Sequence, residues 1–331
     1  MTLSTNELTK DVLNIDEALE VKKISTRVRE ILRNNIHRRG LVVAISGGVD
    51  SAVSAALCVE AIGAAKVFGL LLPEKDSSPE SLELGKALVD QLSIDHRVHD
   101  IAPTLEAIGC YQWRDDAIKK VFPEYDYTWK SKIKISGGLE GKINHFSLVV
   151  QSPEGNVVTK KLGLKEYLQI VAATNYKQRI RKTIEYFHAD SLNYAVVGTP
   201  NRLEYDQGFF VKNGDGSADI KPIAHLYKTQ VYALARHLNL PDKICNATPS
   251  TDTYSMPQGQ DEFYFALPYA KMDVALWAHN NNIAPAKLAD YLDVPEEQAN
   301  FIYKDIEKKR HTTQYLHAKA CLIEPVPQIK T

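Results

Sequence analysis

The chain is short of cysteine: Cys58, Cys110, Cys245 and Cys321 are its four in 331 residues, and no two form a Cys-x-x-Cys pair. That spread argues against a zinc site or a disulfide framework and reads as reduced, buried structural thiols. There is no excess of positive charge either, with 40 Lys plus Arg against 41 Asp plus Glu. Neutralising the phosphates of a nucleic acid demands such an excess, so nucleic acid is disfavoured as a partner. No apolar run approaches the roughly 18 residues of a membrane span, and Glu7, Asp11 and Asp16 stand where a targeting peptide would be basic or apolar. A cytoplasmic protein with no membrane partner is the default expectation. Internal repeats and low-complexity segments are missing, as are the Gly-x-x-x-x-Gly-Lys-Ser/Thr phosphate loop and the Gly-x-Gly-x-x-Gly turn of dinucleotide folds. With 44% hydrophobic residues the chain can bury a sizeable core, and a single domain over residues 1–331 carrying an insertion is expected.

What is present is a short apolar run, Leu41-Val42-Val43-Ala44-Ile45, then Ser46-Gly47-Gly48-Val49-Asp50-Ser51, then an Ala-rich helical stretch from Ala52 to Ala64. This reads as strand, tight glycine turn and helix start. Two adjacent glycines permit positive φ and close approach of a ligand to main-chain N–H groups, and the following helix aims its unpaired N–H groups at the same point. The product is an anion cradle. Asp50 beside it is the odd part, because a carboxylate about 4 Å from a phosphate charge is repelled by roughly 4 kcal/mol at an effective dielectric of 20. A bridging Mg²⁺ removes the conflict.

Around this turn, apolar runs alternate with helical patterns. Ile24, Val28, Ile31 and Leu32 recur at helical spacing, predicting an amphipathic helix from about Asp16 to His37. Strands are expected at 66–72 and 96–101, with a helix at about 79–92 capped by Ser78 between them, the βαβαβ opening of a parallel sheet. Right-handed crossovers put the glycine turn at the carboxyl edge of that sheet, where open α/β folds bind ligands. The rhythm breaks over about 130–161, where alternating stretches at 142–150 and 156–160 joined by Ser152-Pro153-Glu154-Gly155 read as an inserted β-hairpin. Helix is expected again over 164–189, then strand 194–198, a polar glycine-rich loop over 199–219 and helix 227–238.

Later segments extend the reading. Val197-Gly198-Thr199-Pro200-Asn201-Arg202-Leu203-Glu204 is followed by Gly208-Phe209-Phe210-Val211-Lys212-Asn213-Gly214-Asp215-Gly216-Ser217-Ala218-Asp219-Ile220-Lys221-Pro222 and by Leu226-Tyr227-Lys228-Thr229-Gln230-Val231. Pro249-Ser250-Thr251-Asp252, Asp261-Glu262, Tyr269 and Asp273 come next, and Asn175, Arg179 and Arg181 form an Asn-x-x-x-Arg-x-Arg pattern upstream. In order and spacing these resemble the NAD synthetase family of ATP pyrophosphatases, whose loop at 46–51 holds pyrophosphate. The resemblance covers about 41–72 and 175–273. It implies an α/β fold of the adenine nucleotide alpha hydrolase type: a Rossmann-like parallel sheet of about five strands flanked by helices, here with the β-hairpin insertion.

It also implies a chemistry. A carboxylate cannot lose oxide to ammonia, so the acid is first joined to AMP with loss of pyrophosphate, and ammonia then displaces AMP. By resemblance, the substrates are ATP, nicotinic acid adenine dinucleotide and ammonia, and the cofactor is Mg²⁺ held by Asp50 and Glu204. Asp50, Lys228 and Ser250 take catalytic roles. Ser46, Gly47, Gly48, Val49, Asp50, Ser51, Thr199 and Lys228 bind ATP, while Asn175, Arg179, Phe210, Lys212 and Asp219 bind the acid. Taken alone, Lys228 reads as a solvated helix lysine, Glu204 as a surface-loop carboxylate, and Arg181 as an exposed partner of Glu185. Phe209 and Phe210 read equally well as core and as a stacking wall. Departures from the family fall at Val171, where one branch has an aromatic, at Pro200, over 253–260 and at the hairpin. All touch regions that select the acid, so a related ligase for another carboxylate, and a non-catalytic nucleotide-binding protein, are the alternatives. About 40 residues precede the first strand, too few for a glutaminase domain, which implies free ammonia or a separate glutaminase. The family works as a homodimer, which gives the N-terminal helix and the helix near Asn175 a surface to bury.

Overall fold

The computed structural model describes residues 8–136, 145–247, 254–256 and 267–328. Helix α1 spans Glu17–Glu30, with the Asp16 carboxylate accepting from the Leu19 N–H at 2.9 Å as its N-cap. A π-helical turn, Ile31–Ile36, carries it on to His37, whose φ of 52° ends it. Strand β1 (Leu41–Ala44) leads through the glycine turn into α2 (Val49–Ile62), and β2 (Val67–Leu71) follows. Then come α3 (Pro79–Leu92), capped by Ser78 as expected, β3 (Asp95–Val98), α4 (Ala102–Ala107) and α5 (Cys110–Lys119). The inserted strands are β4 (Lys130–Ser136), β5 (His145–Gln151) and β6 (Val157–Lys161). The long helix α6 (Leu164–Leu192) returns the chain to β7 (Ala195–Val197). After α7 (Arg202–Gln207), α8 (Lys228–His237) and α9 (Asp242–Cys245), the helices α10 (Tyr269–Asn280), α11 (Pro285–Leu292) and α12 (Glu296–His317) close the described chain.

The main sheet is parallel in the order β3-β2-β1-β7. Side chains of β1 alternate between its faces. Leu41, Val43 and Ile45 enter a core with α1, α2 and α8, and Val42 enters another with Ile101, Leu105, Tyr111 and Ala189. The apolar wall of α2, from Ala52 to Cys58, is buried almost throughout, which explains why an Ala-rich sequence stands there.

Two details differ from the sequence expectation. Among the described residues the sheet has four strands rather than about five, and Ile220 adds a single parallel bridge to Val197. The reason is local: Pro222 lacks the N–H needed to extend a ladder, and the Asp219 carboxylate already accepts the Val196 N–H at 2.8 Å. The insertion is a three-stranded antiparallel sheet, β4-β5-β6, instead of a two-stranded hairpin. Its expected turn at Ser152–Gly155 is present, with Gly155 at φ 89°, and residues 137–144 lie outside the described set. Packing supplies the reason for the third strand: Ile133 of β4 is fully buried with Leu148, Val150, Phe122 and Tyr125 against α5 and α6.

Candidate active site

The turn between β1 and α2 is tighter than two equivalent glycines. Gly47 alone takes positive φ, 84°, and a Cβ there would stand 2.4 Å from the Ser81 carbonyl oxygen. One of the two glycines thus uses the access to positive φ: Gly48 is extended, at φ −87°, and forms the N-cap of α2. Its missing side chain serves close approach instead: the nearest atom to a Cβ at Gly48 would be Ser46 Oγ, at 3.5 Å. The loop ties itself together, with Ser46 Oγ accepting from the Gly48 N–H at 3.3 Å and lying 3.2 Å from Ser51 Oγ. Ser51 Oγ in turn donates to the Gly48 carbonyl at 3.0 Å.

Asp50 in the first turn of α2 reaches across to two elements more than 150 residues away. Its Oδ2 pairs with the Lys228 ammonium at the start of α8, and its Oδ1 accepts from Asn201 Nδ2 at 3.2 Å. Asn201 also caps α7, accepting from the Leu203 and Glu204 N–H groups at 3.0 and 3.1 Å. Glu204 returns the bond, its Oε2 accepting the Asn201 N–H at 3.1 Å, a capping box that fixes this carboxylate beside the glycine turn. Glu204 is 9% exposed. Burial, and then the neighbouring Asp50 charge, push its pKa up to about 8, against a smaller opposing effect of Lys228. Lys228 is 2% exposed; burial alone would lower its pKa, but Asp50 and Glu204 more than offset that and raise it. Its ammonium also faces the rings of Tyr269 and Tyr232, at 5.4 and 5.9 Å. The solvated-lysine and surface-carboxylate readings are thereby excluded.

These groups share one cleft of about 850 Å³. All of Ser46 to Ser51, Thr199, Glu204 and Lys228 line it, together with Asn175 and Phe210. Three further residues expected at the acid site do not line it. Arg179 is exposed and its Nε donates to the Lys212 carbonyl at 3.2 Å. The Lys212 ammonium donates to the Tyr315 and Ala318 carbonyls at 2.7 and 2.9 Å, capping the end of α12. Asp219 is spent on the backbone of β7. Ser250 lies outside the described residues, as do Pro249, Thr251, Asp252, Asp261 and Glu262. Pro200 and Val171 line the cleft, so both departures do face the ligand space. Phe210 is a wall rather than core, stacked near Tyr205 with centroids 6.2 Å apart.

Sequence reasoning missed several groups. Asn201 carried a signal, since Asn followed three positions later by Glu is a capping box. Lys182 and Glu185 of α6 line the cleft as a buried pair 2.6 Å apart, so Glu185 pairs with Lys182 and not with Arg181, whose Nε donates to the Leu72 carbonyl. Behind the loop that follows β2 lies a buried ion cluster. Lys177 Nζ sits 2.9 Å from Glu74 and 2.6 Å from Asp76, Arg114 sits 2.5 Å from Asp76, and Tyr111 Oη donates to Glu74 at 2.8 Å. It fastens the loop of Ser77 and Ser78, which line the cleft, to α5 and α6. The thiol expectation holds for Cys58, Cys110 and Cys245, all buried, while Cys321 is exposed.

A parallel sheet whose first strand-to-helix turn is a glycine anion cradle, flanked by two carboxylates and a buried lysine, defines an α/β nucleotide-binding protein. The chain belongs to the NAD synthase family, whose model matches residues 20–123 and 148–315. It is 53% identical over 321 residues to the NH(3)-dependent NAD(+) synthetase of Rhizobium meliloti (strain 1021), covering 97% of this chain and 96% of that one. The Thermotoga maritima protein of the same name is 39% identical over 244 residues, 74% of this chain and 81% of that one. Solved structures share the fold at lower identity. The NMN synthetase from Francisella tularensis matches with a TM-score of 0.63 at 22% identity, over 93% of this chain and 99% of its own. The NH3-dependent NAD synthetase from Campylobacter jejuni, in complex with the nitrate ion, matches with 0.61 at 21%, over 94% and 100%.

Proposed function

We propose that this chain is an ammonia-dependent ligase that converts nicotinic acid adenine dinucleotide to NAD⁺, consuming ATP and releasing AMP and pyrophosphate. The observation that carries the reading is the meeting of the glycine cradle with Asp50, Glu204 and Lys228 in one cleft. The acid's carboxylate oxygen attacks the α-phosphorus, and the bond to the β-phosphate oxygen breaks. The electron pair leaves on pyrophosphate, toward the N–H groups at the start of α2 and the hydroxyls of Ser46 and Ser51. In this reading Lys228 supplies a fixed positive charge against the negative charge that develops on the leaving group. Ammonia then adds to the acyl carbon of the mixed anhydride, AMP departs with the C–O electron pair, and one proton is lost from nitrogen.

The residues fit a divalent cation. Asp50 and Glu204 are hard oxygen donors close enough for one to raise the other's pKa, a conflict that a positive ion relieves. Among the described residues no group of three or more His, Cys, Asp or Glu could hold a metal, so substrate phosphates and water would complete the shell, the usual habit of Mg²⁺. Bound there, Mg²⁺ would neutralise phosphate charge as pyrophosphate leaves. Ammonia supplied free or by a separate glutaminase, and a cytoplasmic location, belong to the same reading. So does a homodimer, which is supported by apolar side chains left exposed on α5 and α6: Trp113, Leu164, Leu168 and Phe187.

The test is product formation from the dinucleotide acid, ATP, Mg²⁺ and ammonium, with pyrophosphate measured in parallel. NAD⁺ and pyrophosphate should appear in equal amounts, and Asp50→Asn should cut both by 10²-fold or more, roughly the effect of losing one preorganised electrostatic group, with an unchanged circular dichroism spectrum. Pyrophosphate released without NAD⁺ would point to another acid, and a fully active Asp50→Asn would remove Asp50 from its role.

A further inference from the structure

The insertion reaches the cleft. Phe146 of β5 lines it, and its ring stacks on Tyr167 of α6 with centroids 4.0 Å apart and planes 17° from parallel. Phe146 is half-buried and lies outside the residues that the family model matches. The strand holds it firmly: Phe146 pairs with Ile135 of β4, and its carbonyl accepts from the Leu162 N–H at 2.9 Å. Behind it, Leu148, Val150 and Ile133 anchor the sheet on α5 and α6.

The second partner belongs to a continuous stripe. Tyr167, Val171, Thr174, Asn175, Gln178, Arg181, Lys182 and Glu185 all line the cleft from one helix. At 1.5 Å per residue the stripe is about 27 Å long. It changes character along its length, from aromatic and apolar at Tyr167 and Val171, through the amides of Asn175 and Gln178, to the charges of Arg181, Lys182 and Glu185. A ligand that matches it is elongated, with a planar apolar group at one end and polar groups along the rest.

We propose that the Phe146–Tyr167 pair is a stacking platform for a planar heteroaromatic ring of a substrate, supplied by the insertion. A bare aliphatic pocket would accept any apolar group. Two aromatic rings lining the cleft favour a flat ring over an aliphatic group, because aromatic pairs add attraction beyond area burial. This rests on the reading above, in which three such rings are available, the pyridine and the adenine of the dinucleotide acid and the adenine of ATP. The chemistry is the same for all three, and kinetics distinguishes the rings of the acid from the adenine of ATP.

Phe146→Leu keeps the apolar bulk and removes the π-face, Phe146→Ala removes both, and Phe146→Tyr restores the ring. KM for the dinucleotide acid at saturating ATP, KM for ATP at saturating acid, kcat and the melting temperature are measured for each. Phe146→Ala should raise one of the two KM values roughly tenfold, the scale of one lost base–aromatic stack, with Phe146→Leu intermediate and Phe146→Tyr near wild type. A rise for the acid places one of the dinucleotide's two rings on the platform, and a rise for ATP places the adenine of ATP. Unchanged KM values in both assays, or a fall in kcat alone, overturn the proposal. Should the smaller variants fail to fold, Phe146→Trp gives a second readout, since a ring stacked on the new indole quenches its emission. Titration with the acid and with ATP that leaves the difference emission against wild type unchanged overturns the proposal as well. Wild-type protein that forms no NAD⁺ refutes the assigned reaction, whereas normal wild-type turnover with insensitive Phe146 variants refutes only the platform.

Discussion

Replacing Glu204 by glutamine separates what this residue costs the fold from what it does for the reaction. Its pKa of about 8 in the folded chain, against an ordinary 4.5, comes first from burial and second from Asp50. The folded protein therefore keeps a proton on Glu204 over a pH range in which the unfolded chain has released it. A raised pKa favours folding fully below about 4.5, and that contribution is lost as pH climbs through 8. At about 1.4 kcal/mol per pH unit, the loss between pH 5 and 8 is on the order of 3 kcal/mol for this buried site. Glutamine keeps the shape and can still accept the Asn201 N–H, but it does not titrate. In EDTA, Glu204→Gln should match wild type within about 1 kcal/mol at pH 5 and exceed it by on the order of 3 kcal/mol at pH 8, roughly 5 °C in melting temperature for a chain of this size. Thermal unfolding followed by circular dichroism at the two pH values checks this. The same variant should lose Mg²⁺-dependent pyrophosphate release, because an amide is a poorer ligand for a hard cation. A melting difference that is identical at pH 5 and pH 8 would refute the argument, since it would mean that Glu204 is not the group holding the proton.

Two further substitutions address the scaffold of the cleft. Gly47→Ala forces a Cβ onto a backbone at φ 84° and to 2.4 Å from the Ser81 carbonyl; it should cost about 2 kcal/mol or more in urea denaturation and raise the KM for ATP in the pyrophosphate assay. Lys177→Met leaves Glu74 and Asp76 buried without their shared cation, which should cost about 3–5 kcal/mol. Adding Asp76→Asn to it should recover part of that loss, because neighbours in one ionic network are not additive. A double variant exactly as unstable as the sum of the singles would remove the network from the account.

The parts of this protein legible in its sequence are those written in consecutive residues. The turn at 46–51 is fixed by an apolar run, two glycines and an Ala-rich helix, and the structure adds which glycine bends. Ser78 caps α3 because Ser before Pro is a local start signal. What stayed hidden depends on partners far away in the chain. The cluster of Glu74, Asp76, Arg114 and Lys177 joins residues up to 103 positions apart, and nothing in the local pattern separates its lysine from a solvated one. Strand β4 shows the same limit, since Lys-Ser-Lys-Ile-Lys-Ile has the alternation of a strand but enough charge to pass for a loop until Ile133 is seen buried.

Lys228 shows where a local misfit becomes the signal. It begins α8, at the end of a helix where the dipole disfavours a cation, and it is buried. Burial does not explain a lysine there, because taking its charge out of water is costly. Two carboxylates do explain it: Asp50 pairs with its ammonium, and Glu204 adds to the field that keeps it charged. On the proposed function these two carboxyl groups stand beside the phosphate site, where ionising both is costly, and a divalent cation would relieve that cost. On the same reading, the ligand's phosphates and a divalent cation would account for the three residues as a set. The sequence positions 50, 204 and 228 therefore belong to one electrostatic unit, and we propose that substrate restores the stability its burial costs.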